Sequence, residues 1–537
     1  MVLAAGAAVA ASVVGAAALT VLALAVVWAT LVAPIRPLLL TPGSFVRLPL
    51  EGLVLVVLAV ALPARAGRIV AWPLGLLLGL LALAKLFDFG FFVFFDRQFN
   101  PVEDWSYLPI GVGTIRETFG NRDADLAVAA ATIVGLAAII VPALALVRLS
   151  GVAARHRRRS LRLLVALTAA WGLCWVFGAQ VSGAGVASRS AAQFAVDEVH
   201  AVQADIRSEE EFRRLLQRKD PYSTTPATRL LAGLRGKDVL LVFVESYGQM
   251  AVQGTSFSPG IDAVVTAGDR QLRARGFSSR SGWLTSSTYG GGSWLAHSTL
   301  QSGTWVNSPG RFSQLAKSKR VTLATAFRRA GWRTVADVPA THGSWPDGHS
   351  FYHYARIWDR NNLGYRGPRY GFSPMPDQYV LQALQKLELA KQHRRPVFSE
   401  IDLTSSHEPW TRLPPLIPWT RIGNGSILNR VPVDRAGLTD TQTGYAESIK
   451  YALHALYSFI ERYGNKNTVL IVLGDHQPSR VVQQASHQVP TTIIAHDPKV
   501  IRRLSSWRWT NGMLPAPTAP VWLMSKFRNR FFNAFDH

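Results

Sequence analysis

Two apolar runs of the sequence end in side chains that can bind a metal ion. The run VLLVFVESYGQ carries Glu245 at its end, and the run VLIVLGDHQPS carries Asp475 and His476. A carboxylate directly after a buried strand is costly unless it meets a cation, and the carboxyl ends of parallel strands lie at one edge of a sheet. Alone, such a glutamate could equally cap a helix, and an Asp-His pair is common in loops. Together, with Gly474 permitting a tight turn, they predict a site for one divalent ion.

The segment between these runs offers a nucleophile. In TSSTYGGGSWLAHSTLQSG, residues 285–303, three glycines precede Ser293 and a helix-length pattern. This order would place a hydroxyl and free backbone N–H groups at a helix N-terminus, where a phosphate is favoured; the alternative is a flexible turn with a capping serine. A metal ion can activate a serine hydroxyl and screen a transferred phosphoryl group. Ser287 and Thr288 compete with Ser293, which we favour as the nucleophile.

Three histidines lie at predicted strand or loop ends: His342 in ATHGSW, His407 in DLTSSHEPW and His487 in ASHQVP. Each alone is more often structural than catalytic. His407 is the strongest candidate, because it follows a strand-like run and precedes Pro409 and Trp410 in a loop. That position suits protonation of a leaving alkoxide or the binding of an anion.

The elements that must position these side chains begin after Gly236. From there, short β-rich runs such as DVLLVFVE, RPVFSEIDL and VPTTIIA alternate with helical stretches. Such alternation is typical of an α/β domain with a mostly parallel central sheet, which we assign to residues 237–537. The polar pattern over residues 184–236 predicts membrane-proximal linker helices.

The N-terminal part is predicted to be a five-span transmembrane domain over residues 1–183. Crossing a bilayer takes about 20 apolar residues per helix. The five stretches that meet this length lie near residues 7–33, 46–63, 70–95, 126–147 and 163–183.

The orientation follows from basic residues in the short loops. The link between the fourth and fifth stretches carries six arginines: Arg148, Arg155, Arg157, Arg158, Arg159 and Arg162. The rule places this link in the cytoplasm. With five spans the N-terminus is also inside, and everything after about residue 184 is extracytoplasmic in a cell membrane. The Ala- and Arg-rich composition points to a bacterial source.

Lys85 and Asp88 lie at the outer end of the third stretch, on one helical face. We predict an ion pair between them, with a substrate contact as the alternative.

The overall charge and the cysteine content exclude other classes. The formal net charge is +23, but no basic-aromatic recognition motif accompanies it, and the densest basic run lies between two apolar stretches, so we expect no nucleic-acid binding. The only cysteine, Cys174, falls in an apolar stretch. The chain therefore cannot form an internal disulfide or a thiolate metal cluster.

At these residues the chain resembles the alkaline phosphatase and sulfatase superfamily, and within it the branch of lipoteichoic acid synthases and phosphoglycerol transferases. The similarity covers the five apolar stretches, the VESYGQ and VLGDHQ strand ends, the helix that starts at Ser293, and the loop IDLTSSHEPW. It implies a sulfatase-like fold for the C-terminal domain.

The resemblance also implies roles for the candidate residues. Glu245, Ser293, Asp475 and His476 match the metal ligands, Ser293 also matches the nucleophile that becomes covalently loaded, and His407 matches a residue that contacts the transferred group. The expected ion is Mn²⁺ or Mg²⁺, with Zn²⁺ as the alternative. The expected donor is phosphatidylglycerol, and the expected acceptor is a cell-envelope glycan or polymer.

The sequence departs from this branch in two places. The nucleophile is usually threonine, and here the matching residue is serine. The branch's substrate-binding stretch is only loosely matched by ATHGSWPDGHSFYHYAR. The candidate substrate contacts, apart from His407, are His342, His349, Tyr352, Arg356 and His487.

Several other functions are weighed against phosphoglycerol transfer. Phosphoethanolamine transferases usually use zinc and carry disulfides in the soluble domain, where this chain has no cysteine. Sulfatases need a Pro-x-Arg-like pattern after the nucleophile, which is absent after Ser293. A metal-dependent phosphodiesterase would use water as acceptor, and a non-catalytic protein would bind anionic polymer through its basic surface.

Overall fold

The computed structural model describes residues 2–181, 183–341, 343–431, 441–480, 482 and 486–536, with the side chains of residues 2–13 left aside. The chain divides into two compact units. The first comprises Met1–Val93 with Arg97–Ser208, and the second comprises Phe94–Asp96 with Glu209–His537.

The first unit is built from apolar helices. They are α1 (Val2–Val32), α2 (Leu50–Ala61), α3 (Ala64–Phe95), α4 (Tyr107–Phe119), α5 (Asn121–Arg155), α6 (Arg157–Val176) and the first part of the polar helix α7 (Ser190–Gln217). Two pairs of two-residue strands join them: Leu48–Pro49 with Ala187–Ser188, and Gln180–Val181 with Ala184–Gly185.

Four of these helices are long and apolar enough to cross a membrane: Val14–Val32 of α1, then α3, α5 and α6. The predicted second span is only the 12-residue helix α2. At 1.5 Å per residue it extends about 18 Å, short of the roughly 30 Å of a hydrocarbon core. Pro49 precedes this helix and Pro63 follows it after Leu62, which limits its length. The apolar helical region is confirmed with four candidate spans, and the count of five remains a prediction.

Lys85 and Asp88 both bind backbone groups of the first unit. The Lys85 ammonium donates to the carbonyl oxygens of Thr30 at 2.9 Å and of Leu31 and Ala33 at 3.1 Å. Asp88 accepts a hydrogen bond from the Phe99 N–H at 2.9 Å. Lys85 thus satisfies carbonyl groups that the end of α1 leaves without partners. Among the described residues the predicted Lys85–Asp88 ion pair is wrong, because Lys85 binds the carbonyl groups at the end of α1 and Asp88 binds the Phe99 N–H.

The second unit is organised around a nine-stranded sheet. Its strands are β1 (Asp238–Val244), β2 (Ser278–Thr285), β3 (Arg333–Val338), β4 (Arg356–Asp359), β5 (Val397–Leu403), β6 (Thr468–Gly474), β7 (Gln488–Ala495), β8 (Thr510–Asn511) and β9 (Val521–Leu523). The order is β8-β2-β7-β6-β1-β5-β3-β4, with β9 paired to β2. Five neighbouring pairs are parallel, from β6 across to β4 together with β9–β2, and three are antiparallel. The predicted mostly parallel sheet is confirmed.

The second unit also contains ten described α-helices beyond α7. They are α8 (Gln249–Val252), α9 (Ser258–Ala274), α10 (Ser293–Ser302), α11 (Pro309–Ala316), α12 (Leu323–Arg329), α13 (Pro346–Ser350), α14 (Asp377–Leu384), α15 (Thr441–Tyr463), α16 (Pro498–Arg502) and α17 (Phe527–Phe535). Of these, α8, α9, α12 and α16 contact strands of the sheet directly. The central strands β1 and β6 are buried along their whole length. Because both their faces are covered, these strands are apolar after their first residues, Asp238 and Thr468, and the next charged side chains come where the strands end.

Candidate active site

The two strands that end in predicted metal ligands lie side by side. Strands β1 and β6 are parallel neighbours, and Gly474 at the end of β6 pairs with Val244 at the end of β1. Glu245 and Asp475 are the next residue of each strand, so the register brings their carboxylates together at the carboxyl edge of the sheet.

Glu245, Asp475 and His476 form a buried group with the geometry of a metal site. Each offers one ligand atom, and these atoms all lie within 4.8 Å of one another. His476 Nε2 is 3.6 Å from Glu245 Oε1 and 3.5 Å from Asp475 Oδ2. We refer to these three residues as the first cluster.

Hydrogen bonds orient the first cluster for an ion. His476 Nδ1 lies 2.8 Å from the Gln477 carbonyl oxygen, which can only accept, so the proton is on Nδ1 and the Nε2 lone pair faces the carboxylates. Asp475 Oδ1 accepts from the N–H groups of Ser246 and His476, both at 2.8 Å, which leaves Oδ2 toward the cluster. Two carboxylates and one imidazole lone pair fit a divalent cation. Burial and the neighbouring Glu245 charge raise the pKa of Asp475 to about 6, a repulsion that a cation would relieve.

Ser293 lies directly at the first cluster. It is the first residue of α10, as the sequence predicts, and Gly292 before it has a φ of 76°, a left-handed conformation that glycine adopts without strain. The Ser293 hydroxyl donates to Glu245 Oε2 at 3.0 Å and lies 3.2 Å from His476 Nε2. The structure therefore brings together all four residues that the resemblance assigns to the ion.

The two competing hydroxyls have other surroundings. Ser287 is buried, and its hydroxyl shares a 2.8 Å hydrogen bond with that of Thr299 inside α10. The Thr288 hydroxyl is buried without a hydrogen-bond partner among the described residues. Of the three predicted nucleophiles, Ser293 is the one that bonds to the first cluster.

His407 is held in one orientation beside the site. It lies in the loop after β5, its ring stacks on Phe372 with centroids 3.7 Å apart, and its Nδ1 donates to the Glu408 carbonyl oxygen. Burial lowers the pKa of His407 to about 4, although its hydrogen bond to the Glu408 carbonyl oxygen acts in the opposite direction. The ring is therefore neutral, with the Nε2 lone pair free of the proton. This state suits accepting a proton or a hydrogen bond, rather than the proton donation that the sequence suggested.

The predicted substrate contacts are dispersed. His487 precedes β7, lies 3.3 Å from the Asp96 carboxylate and packs against Tyr289, in the loop that leads to Ser293. Tyr352 is buried, and its hydroxyl shares a 2.8 Å hydrogen bond with Ser298 of α10, so it supports that helix. His342 lies outside the described residues, and His349 binds the Tyr354 carbonyl at 3.1 Å.

Arg356 is not brought to the site. It is the exposed first residue of β4, with its guanidinium 4.1 Å from the Trp358 ring centroid. β4 is three strands from β1, and the register sets Arg356 level with Leu240 of β1. That level is five residues before Glu245, or about 16 Å along the strand. We therefore remove Arg356 from the candidate substrate contacts. The chain turns back before β4, so this strand starts at the amino edge of the sheet, opposite the carboxyl edge where Glu245 lies.

Sequence reasoning missed the residues that support the site. The Ser406 hydroxyl donates to the Glu245 carbonyl at 2.6 Å, and the Tyr445 hydroxyl donates to the Ser246 carbonyl at 2.8 Å. It also missed His297, whose spacing of four residues from Ser293 is the only sequence signal that places both on one face of α10.

Comparison with known proteins identifies the family of part of the second unit. The family model described as Sulfatase matches residues 237–501. The chain carries a sulfatase-family domain. The resemblance to the alkaline phosphatase and sulfatase superfamily is thereby confirmed, and a search of curated proteins finds no match.

Three solved structures illustrate the similarity. The lipooligosaccharide phosphoethanolamine transferase EptA from Neisseria meningitidis is 14% identical, with 97% of this chain and 95% of that chain covered and a TM-score of 0.44. The Streptococcus pyogenes phosphoglycerol transferase GacH is 14% identical, with coverage of 59% and 84% and a TM-score of 0.36. The lipoteichoic acid synthase LtaP from Listeria monocytogenes is 14% identical, with coverage of 53% and 71% and a TM-score of 0.33. Similarity at this level carries no argument about substrate.

Proposed function

We propose that this protein is a metal-dependent phosphotransferase that moves a phosphoglycerol-type group from a membrane phospholipid to a cell-envelope glycan or polymer. The observation that carries the proposal is the Ser293 hydroxyl, which is hydrogen-bonded to Glu245 and 3.2 Å from His476 in a buried group of ligand atoms. A serine that serves only as a helix cap does not require two carboxylates and an imidazole beside it.

Glu245, Ser293, Asp475 and His476 would hold one divalent ion, Mn²⁺ or Mg²⁺, with Zn²⁺ as the alternative. When bound, the ion supplies a positive charge that favours the serine alkoxide and screens the phosphoryl oxygens. These four residues provide oxygen and nitrogen ligands only, which suits ions of this kind.

The reaction has two steps with one covalent intermediate. Ser293 Oγ attacks the phosphorus of the lipid phosphodiester; the Oγ–P bond forms, the bond from phosphorus to the diacylglycerol oxygen breaks, and that oxygen takes up the proton that Ser293 gives up. The serine proton can pass to Glu245 Oε2, its hydrogen-bond acceptor at 3.0 Å. In the second step an acceptor hydroxyl attacks the same phosphorus, the Oγ–P bond breaks, and Ser293 Oγ takes up the proton that the acceptor hydroxyl gives up. His407, neutral in this structure, is proposed to take the proton of the acceptor hydroxyl.

Membrane anchoring would keep the site near a lipid donor. The arginine-rich link between α5 and α6 favours a cytoplasmic position for that link, so the chain leaves α6 on the outer side. The outer position of the chain after α6 is the same for four or five crossing helices. Whether the short helix α2 crosses the membrane decides only on which side the N-terminus lies. We therefore propose an extracytoplasmic catalytic domain in a bacterial cell membrane.

Phosphoethanolamine transfer is the second candidate, since both head groups are phosphodiesters of small alcohols. The sequence favours phosphoglycerol, because the only cysteine, Cys174, lies in α6 and leaves the sulfatase-family domain without disulfides.

Donor choice can be measured directly. Full-length protein in detergent is incubated with Mn²⁺, soluble envelope glycan and either phosphatidylglycerol or phosphatidylethanolamine, each labelled in the head group. We expect label on the glycan from phosphatidylglycerol, none with Ser293→Ala, and normal transfer with Ser458→Ala, whose hydroxyl donates to the Ala455 carbonyl oxygen of its own helix. Label from phosphatidylethanolamine alone would establish the second candidate. Release of free head-group phosphate without labelled glycan would indicate a hydrolase.

A further inference from the structure

A second group of ligand atoms lies beneath the nucleophile helix. His297 Nδ1 is 3.1 Å from Glu400 Oε1 and 3.6 Å from Asp402 Oδ1. The ligand atoms of these three residues all lie within 4.8 Å of one another. Glu400 and Asp402 alternate on β5 and therefore share one face of the sheet, and His297 approaches that face from α10. We refer to these residues as the second cluster.

Neighbouring side chains hold the residues of the second cluster in one orientation. Glu400 Oε2 accepts from Gln301 Nε2 at 2.5 Å and from the Tyr354 hydroxyl, which leaves Oε1 toward His297. The His297 ring stacks on Phe243, with centroids 3.7 Å apart. Such outer contacts are what orient metal ligands in proteins.

Two buried polar atoms of the second cluster lack hydrogen-bond partners among the described residues. They are His297 Nε2 and Asp402 Oδ1. His297 is only 8% exposed, so water does not readily satisfy its ring. An unpaired buried acceptor is unfavourable, and a cation bound at Asp402 Oδ1 would remove that cost.

The charges of the second cluster also call for a cation. One proton on His297 neutralises only one of the two carboxylates, whereas a divalent ion neutralises both and leaves the imidazole free to act as a ligand. One imidazole nitrogen and two carboxylate oxygens form a ligand set that suits Zn²⁺ or Mn²⁺.

We propose that His297, Glu400 and Asp402 form a second divalent-metal site, separate from the first cluster. Asp402 pairs with Phe243, two residues before Glu245 on the neighbouring strand. The Cα atoms of Asp402 and Glu245 are therefore about 8 Å apart, because they are separated by about 4.8 Å between strands and by about 6.6 Å along the strand direction. The two clusters share no residue, so an ion at the second cluster would occupy a site of its own.

The second ion has a positioning role in this proposal. It would join α10 to β5 and so fix the helix on which Ser293 lies, one turn before His297. This role rests on the proposed function, but the presence of the ion does not.

The test counts metal ions on full-length, tag-free protein in detergent. The protein is stripped with a chelator and equilibrated by dialysis against micromolar Mn²⁺ or Zn²⁺, and bound metal is measured by mass spectrometry of the elements. We expect two ions per chain in the natural protein and one in His297→Gln and Asp402→Asn. Asp475→Asn is also expected to bind one, whereas Asp269→Asn, a carboxylate change outside both clusters, should keep two.

Asp402→Asn is the variant that should disturb folding least, because the Asp402 side chain is 22% exposed and asparagine has the same shape. One ion in the natural protein, lost in Asp475→Asn and kept in Asp402→Asn, would overturn the proposal. Two ions in Asp402→Asn would also overturn it. If head-group transfer is absent while two ions bind, the proposed function fails and the second site stands.

Discussion

Asp475→Asn separates the charge of the first cluster from its shape. Asp475 Oδ1 accepts two backbone hydrogen bonds at 2.8 Å, from Ser246 and His476, and an asparagine carbonyl oxygen can accept both. The amide group then takes the place of Oδ2, which faces His476 Nε2 at 3.5 Å. The variant should therefore fold normally while the cluster loses one negative charge and one ligand oxygen.

The size of the effect follows from metal-site energetics. Removing an outer partner of a metal ligand typically costs 10- to 100-fold in affinity, so removing the ligand itself should cost at least about 100-fold, or about 2.7 kcal/mol. At free Mn²⁺ about 1,000 times the natural dissociation constant of the first cluster, the ion at that cluster contributes about 4.1 kcal/mol to the stability of the fold. In the variant the same concentration is only about ten times the dissociation constant, and the stabilisation falls to about 1.4 kcal/mol.

The assay is denaturant unfolding of the detergent-solubilised protein with and without Mn²⁺, together with calorimetric titration of the ion. Asp269→Asn is the matched control, because Asp269 pairs with Arg273 and Ser279 outside the cluster. Equal metal affinity and equal metal-induced stabilisation in Asp475→Asn and the natural protein would refute the placement of an ion at Asp475.

Three further predictions use other residues. His407→Gln should leave Mn²⁺ affinity unchanged and lower kcat for head-group transfer by about 10²- to 10⁴-fold, measured by steady-state kinetics; an unchanged kcat would remove His407 from the chemistry. Gly474→Ala should abolish Mn²⁺ binding at the first cluster and leave one ion per chain, because its Cβ would lie 1.8 Å from the Tyr247 carbonyl oxygen and displace the end of β6; two bound ions in titrations would contradict this reading. Asp220→Asn should lower the free energy of unfolding at pH 7 by about 3 kcal/mol, because it leaves the buried Arg528 guanidinium, 2.8 Å away, without its counter-charge. Burial raises the pKa of Asp220, but the Arg528 charge outweighs burial and lowers that pKa below its ordinary value. The stabilisation by the Asp220–Arg528 pair is therefore present above about pH 4 and is lost as pH falls through the lowered pKa. If the difference in unfolding free energy between the natural protein and Asp220→Asn did not narrow from pH 7 to pH 3 in denaturant melts, the assignment would be contradicted.

The central sheet and the first cluster were predictable because they depend on short-range signals. A buried parallel strand needs a continuous apolar run, so the first charged residue after it marks its end. Glu245 and Asp475 therefore had to lie at one edge, and the observed pairing of Gly474 with Val244 sets them side by side. Ser293 was predictable because glycines before a helical pattern mark a helix start.

The errors arose where distant backbone decides the outcome. Lys85 and Asp88 are near each other in sequence, but carbonyl groups more than fifty residues away bind Lys85. Arg356 follows a stretch of histidines and aromatics, yet the chain reverses before β4 and carries it to the other edge of the sheet. The second cluster combines a helix with a strand about a hundred residues later, and no local pattern links His297 to Glu400.

The most direct test of the central claim is intact-mass spectrometry of the full-length protein after incubation with phosphatidylglycerol and Mn²⁺, with no acceptor present. The account predicts a gain of one glycerol phosphate that requires Mn²⁺ and is absent in Ser293→Ala. An adduct that persists in Ser293→Ala would contradict the assignment of the nucleophile. Release of head group without any adduct, in protein that binds Mn²⁺, would contradict covalent transfer.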